Sequence, residues 1–286
     1  MKLLKKAIIS LLTTVLLVGV IAGGGYFYVK NTYDIDLIKT VRQLKTLGET
    51  VDEARLCPNA FSSADMVDVQ TVVNQSVQDF ITYSEEHGYL VNFDDLPDEM
   101  KYIIRLTDKQ VGALAQTVVE QEIDGKINFA GKFIDIALKQ VEFSSVTADG
   151  ALVNTVLAVN IAPFKDDAPD NALISYLTGL IPDTLYISAT VRVQKSSSAF
   201  SYTVSHDSLT VNNLDKAETE DLFRTLDIVL SVGTADSWSV EIGTAVANAL
   251  IGNQQNNGIA YSLKDIGATD YEFSEEGGNA YFSVLR

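Results

Sequence analysis

Between Lys6 and Lys30 the chain carries no charged side chain. Ala7 to Val29 (AIISLLTTVLLVGVIAGGGYFYV) is mostly apolar. At a rise of about 1.5 Å per residue, a helix of this length crosses a hydrocarbon layer of roughly 30 Å. The run therefore predicts a membrane span, and that constrains where the remaining residues can fold. Lys2, Lys5 and Lys6 lie on the short leading side, which places the N-terminus in the cytoplasm and exports the bulk of the chain. Tyr26, Phe27 and Tyr28 fall where an outer interfacial belt would lie. A cleavable signal peptide is the competing reading, because Val20 with Ala22, or Ala22 with Gly24, supplies small residues in the required relation. The apolar character runs on through Val29, past either cut, and this favours an uncleaved signal-anchor. The expected location is a single-pass protein of the cell membrane with an extracytoplasmic body, and the absence of cysteine near the segment excludes a lipoprotein.

Three of the 21 Lys and Arg precede Ala7 while all 38 Asp and Glu follow it, leaving 18 bases against 38 acids and a formal charge of −20 on the exported part. A field of that sign repels phosphate backbones and anionic headgroups, so no nucleic-acid partner is expected. Cys57 is the only cysteine. No disulfide can form within the chain, so stability must come from a packed core, and disulfide-free export points to a bacterial protein.

Three regions follow: a membrane anchor over 1–30, an N-terminal helical segment over 31–100, and an α+β extracytoplasmic domain over 101–286. Leu37, Val41, Leu44 and Val51 keep a helical period from Asp34 to Arg55, and Cys57-Pro58-Asn59 breaks it. A second helix is read from Ser63 or Asp65 to His87, with Gly88 as its stop, completing a helical hairpin. Leu90 to Glu99 is acidic and turn-rich and marks the boundary.

Beyond it, Tyr102 to Leu106 reads as a strand, and Thr107-Asp108-Lys109-Gln110 is a capping box opening a helix to about Gln121. Long alternating segments come next, at 132–143, 151–161, 184–194 and 199–214. In Ile134, Ile136, Leu138 and then Val141, Phe143 the alternation changes parity, which predicts a β-bulge and a curved sheet. Asp149-Gly150 predicts a hairpin turn. Helices are expected over 170–181, 219–232 and from 236 or 237 to 251, and closing strands at 260–263, 271–273 and 280–285. The fold class is α+β, with a curved antiparallel sheet packed with helices.

Chemistry-bearing patterns are few. His87 and His206 sit in no motif, no Gly-x-Ser-x-Gly or Ser-x-x-Lys occurs, and neither paired cysteines nor His-Glu-x-x-His offers zinc a site. The acids at 94–99 and at 166–170 miss the EF-hand register and read as solvated loops, so no metal or cofactor is expected. What remains is apolar alternation. Ile134, Ile136, Leu138, Leu185, Ile187, Ala189, Val191 and Val193 are the candidates to line a ligand groove.

The order of an anchor, the strand and capped helix from Tyr102 to Leu114, and the long strands carrying Ile134 to Phe143 and Ala151 to Asn160 resembles the membrane-anchored tubular lipid-binding (TULIP-like) envelope proteins of Gram-positive bacteria. The resemblance spans roughly Tyr102 to Leu214 and is one of texture, without a diagnostic motif. It implies a highly curved sheet wrapped around a long helix with an apolar groove, and it transfers no catalytic residues. The expected function is a tethered, non-enzymatic protein that binds a lipid or envelope precursor. The alternatives are a scaffold subunit that meets a cell-envelope protein partner through the N-terminal helices, and a carboxylate-based hydrolase.

Overall fold

The computed structural model describes residues 36–65, 67–68, 71, 81–84, 88–91, 101–123, 125–129, 132–165, 179–230, 233–256 and 258–286. The expected span over 7–29 and the helix over 170–181, but for its last three residues, lie outside them. Among the described residues no helix is long and apolar enough to cross a membrane.

Helix α1 (Leu37–Leu47) starts at Asp36, whose carboxylate accepts from the backbone N–H groups of Ile38 and Lys39. That is an N-cap, and it satisfies donors the helix leaves open. The helix stops at Gly48, short of the expected Arg55. The Leu180 carbonyl packs against that glycine, where a Cβ would sit 1.9 Å from the oxygen. A one-turn helix, α2 (Glu53–Leu56), follows. The segment is docked: Gln43 donates to the Glu218 carbonyl and to Asp221, and Leu44 and Leu47 are buried.

The helix expected to reach His87 does not. Ile81–Ser84 (β1) pairs antiparallel with Gly88–Val91 (β2). The β-branched and aromatic Ile81-Thr82-Tyr83 favours a strand, and Gly88, read as a helix stop, opens its partner. The N-terminal segment is therefore helix followed by hairpin.

Strand β3 (Tyr102–Thr107) feeds helix α3 (Asp108–Ile123). The capping box forms as its sequence predicts: Gln110 N–H donates to Thr107 Oγ1 at 3.2 Å, and Thr107 N–H donates to Gln110 Oε1 at 2.9 Å. Five strands then make an antiparallel meander in chain order: β4 (Lys126–Phe129), β5 (Lys132–Thr147), β6 (Gly150–Asn160), β7 (Thr184–Lys195) and β8 (Tyr202–Val211). A single turn, α4 (Ala162–Lys165), follows β6. The β5–β6 register slips between Leu138 and Gln140, where the parity change places a bulge, and again between Ser144 and Thr147. A bulge bends the strand that carries it. The last strand begins at Tyr202, later than Ala199, because Ser196 to Ser201 close a turn through Ser201 N–H to the Ser198 carbonyl.

Helices α5 (Lys216–Leu230) and α6 (Ala235–Leu250) come next, then the short α7 (Ile259–Ser262). Residues 260–263 do not form the expected strand. Gly258 starts a helical turn there and buries Ala260, and so short an apolar run is ambiguous by periodicity alone. β9 (Asp270–Glu276) and β10 (Asn279–Leu285) pair, and β3 joins the free side of β10 in a three-stranded antiparallel sheet. Its inner aromatics pack on the meander: Phe143 and Phe273 meet edge to face with centroids 5.3 Å apart, and Phe282 lies 5.6 Å from Phe273. The molecule is an α+β protein built from antiparallel sheets packed with helices.

Candidate ligand-binding cleft

Helix α6 bears one stripe for the sheet and another for open space. Ser239, Gly243 and Ala247 recur every four residues and are buried. These small side chains let the helix lie close on the strands: a Cβ on Gly243 would be 2.4 Å from a Val191 methyl. Tyr202 of β8 hydrogen-bonds Asn248, and His206 meets Ser239. Nine residues of helix, about 13.5 Å, thus match four residues of strand, about 13 Å, so α6 runs antiparallel along β8.

Beside this contact the second stripe faces an apolar cleft of about 530 Å³. Trp238, Ile242, Val246 and Ala249 of α6 form one wall, Val111, Leu114, Ala115 and Val119 of α3 the other, and Ile136, Leu138, Thr155 and Leu157 of the meander the floor. Ala245 and Ala249 are exposed, so the cleft opens to solvent. Glu241 is its one ionisable lining residue among those described.

The Thr155 hydroxyl is the floor's polar feature. The residue is only 1 % exposed, and its Oγ1 has no hydrogen-bond partner. It sits on a cross-strand rung between Val141 and Ala189, both fully packed.

The structure separates the eight sequence candidates. Ile136 and Leu138 line the cleft. Ile134, Leu185, Ile187, Ala189, Val191 and Val193 are buried side chains, at most 6 % exposed, and are not among its lining. Of the helical lining, Trp238 lies in a segment where two apolar stripes overlap, Trp238/Ile242/Ala245/Ala249 beside Ser239/Gly243/Ala247. A helix that is apolar on more than one face has more than one neighbour to meet, and this is the signal that could have found the wall.

One polar cluster has the composition of a hydrolase triad. His206 Nδ1 is 2.5 Å from Ser239 Oγ, and its Nε2 is 3.2 Å from Asp236. Ser239, however, is wholly buried, and its hydroxyl donates to the Asp236 carbonyl in the same helical turn. An acyl group has no approach to that oxygen, so the cluster fastens α6 to β8. Cys57 is buried, and burial pushes its thiol up, away from the reactive thiolate. His87 and the acidic loops at 94–99 and 166–170 lie outside the described residues. Among the described residues no three His, Cys, Asp or Glu side chains are grouped to hold a metal ion.

Comparison of the chain with protein-family models, curated protein sequences and solved structures finds no significant match.

Proposed function

We propose that this chain is a membrane-tethered extracytoplasmic protein that binds an apolar ligand and carries out no chemistry on it. The observation behind this reading is the cleft between α3 and α6. Its volume is in the range of small-molecule sites, and its lining is apolar apart from Thr155 and Glu241. Among the described residues its lining carries a single carboxylate, whereas glycoside hydrolysis by a carboxylate pair uses two. The five-stranded meander, bent by its bulges and carrying both helices, is read as the curved sheet that the tubular lipid-binding resemblance implies. That part of the reading rests on element order and bulges.

The test uses the full-length chain in phosphatidylcholine nanodiscs and a fluorescent acyl probe. Ala245 is exposed at the mouth, so Ala245→Phe fills the entrance without disturbing packed side chains. Uptake above that of empty discs, reduced severalfold by Ala245→Phe at unchanged melting temperature, is the expected result. Uptake equal to that of empty discs refutes the proposal.

A further inference from the structure

Resting on that reading, we infer that the cleft selects its ligand by head charge: it takes the apolar chain of an amphiphile whose head is neutral or cationic and refuses one whose head is anionic.

The lining decides where the head goes. Among the described residues it holds no Lys, Arg, His, Asn, Gln or Tyr side chain. The Thr155 hydroxyl on the floor is covered, its residue being 1 % exposed, and Trp238, with the one N–H among the lining side chains, is 2 % exposed. An anionic head drawn inside would give up its water and find no donor to replace it. The chain goes in, and the head stays at the mouth, where Ala245 and Ala249 are exposed.

The charge around the mouth decides which heads are tolerated there. Glu241 lines the cleft and precedes Ala245 by four residues on α6. Residues so spaced are neighbours on one helix face, with Cβ atoms about 5–6 Å apart. A head resting at Ala245 therefore lies beside that carboxylate. The two wall helices carry Asp108, Glu120, Glu122, Asp236 and Glu241 against the single base Lys109. Apolar walls strengthen the field of such charges over the opening between them. A sulfate, phosphate or carboxylate head meets like charge, a quaternary ammonium meets opposite charge, and a hydroxyl is little affected.

Trp238, the single tryptophan of the chain, lines the cleft and is nearly covered, so it reports a chain inside the cleft. In full-length protein in phosphatidylcholine nanodiscs, one brominated alkyl chain is offered with a trimethylammonium, a hydroxyl or a sulfate head. Quenching is counted only where Ala245→Phe removes it. The trimethylammonium and hydroxyl forms should quench saturably, and the sulfate should bind more weakly by about tenfold or more. Ala245→Lys sets a cation beside Glu241 at an exposed position. Measured against Ala245→Gln, which adds bulk without charge, it should tighten sulfate binding severalfold and weaken binding of the trimethylammonium form. Equal affinity of the sulfate and trimethylammonium forms, or sulfate binding that is the same in Ala245→Lys and Ala245→Gln, would overturn the inference while leaving an apolar-ligand protein standing. If none of the three chains gives quenching that Ala245→Phe removes, and an uncharged fluorescent acyl probe is not taken up, the ligand-binding reading itself falls.

Discussion

Gly243→Ala tests whether α6 is seated on the sheet as described. The added methyl carbon would stand 2.4 and 2.7 Å from the two Val191 methyls and 3.0 Å from Val191 Cβ. Carbon atoms in contact settle at about 3.5–4.0 Å, so the helix must withdraw by about 1 Å. Val191 is fully buried and β-branched and has little freedom to yield. Overpacking of this kind costs about 1–3 kcal/mol. Replacing glycine by alanine within a helix returns about 1 kcal/mol. The net expectation is a loss of up to about 2 kcal/mol, and for a chain of this size each 1 kcal/mol lowers the melting temperature by about 2–4 °C. The sharper measurement is the double-mutant cycle with Val191→Ala, which opens the space the new methyl needs. Urea unfolding followed through Trp238 should give a favourable coupling of about 1 kcal/mol or more. If Gly243→Ala alone stabilises by about 1 kcal/mol and the cycle is additive within about 0.5 kcal/mol, the helix does not rest on Val191, and the wall of the cleft is misplaced.

Ala189→Phe should lower stability by about 1–3 kcal/mol or more, since Ala189 is packed between Thr155 and Leu209 on its rung, whereas Ala245→Phe should leave the melting temperature within about 1 °C. Equal melting temperatures for the two variants would contradict this division of core from cleft. Gln140→Leu removes the acceptor of the Asn59 N–H and the donor to Glu142 and Asn154, and should cost about 1–3 kcal/mol in urea unfolding. An unchanged midpoint would mean that the outer polar network contributes nothing net. Burial raises the Asp108 carboxyl above its ordinary 3.8, against the backbone N–H groups of Lys109 and Phe143 that favour the charge. A raised native value means that its stabilisation is complete below about pH 4 and is lost as pH climbs through the native value. Asp108→Asn does not titrate, so it should gain on the wild type as pH rises from about 4 through the native value; a gap that is constant or moves the other way would contradict the assignment.

Local chemistry was legible wherever neighbouring residues decide the structure. Thr107 and Gln110 cap a helix through each other and the parity change after Leu138 marks a bulge, both without help from distant parts of the chain, while the hairpin expected at Asp149-Gly150 turns one residue earlier, at Ala148-Asp149, with Gly150 opening β6 opposite Thr147. The misreadings fall where contacts between segments matter. The Leu180 carbonyl, far along the chain, packs against Gly48 where α1 ends, and Ile81-Thr82-Tyr83 pairs with Gly88–Val91 as a strand. Alternation identified Ile134, Ile136 and Leu138 as an inward face but could not tell a side chain covered by another from one left facing space. That distinction is made by α3 and α6, which lie far apart in the chain, and by the small residues that fix how near α6 sits to the sheet.

The docking of α1 has a geometric consequence for a chain held in a bilayer through residues 7–29. Asp36 caps a helix fixed to α5 by Gln43 and held at its end by Asn212, just past β8, which donates to the Leu47 carbonyl. If residues 7–29 span a bilayer as proposed, the seven residue steps from Val29 to Asp36 can reach at most about 25 Å. Under the proposed anchoring, the body would stay over one patch of membrane. A ligand that left the proposed cleft would then pass to the leaflet beneath it or to a neighbour within that reach.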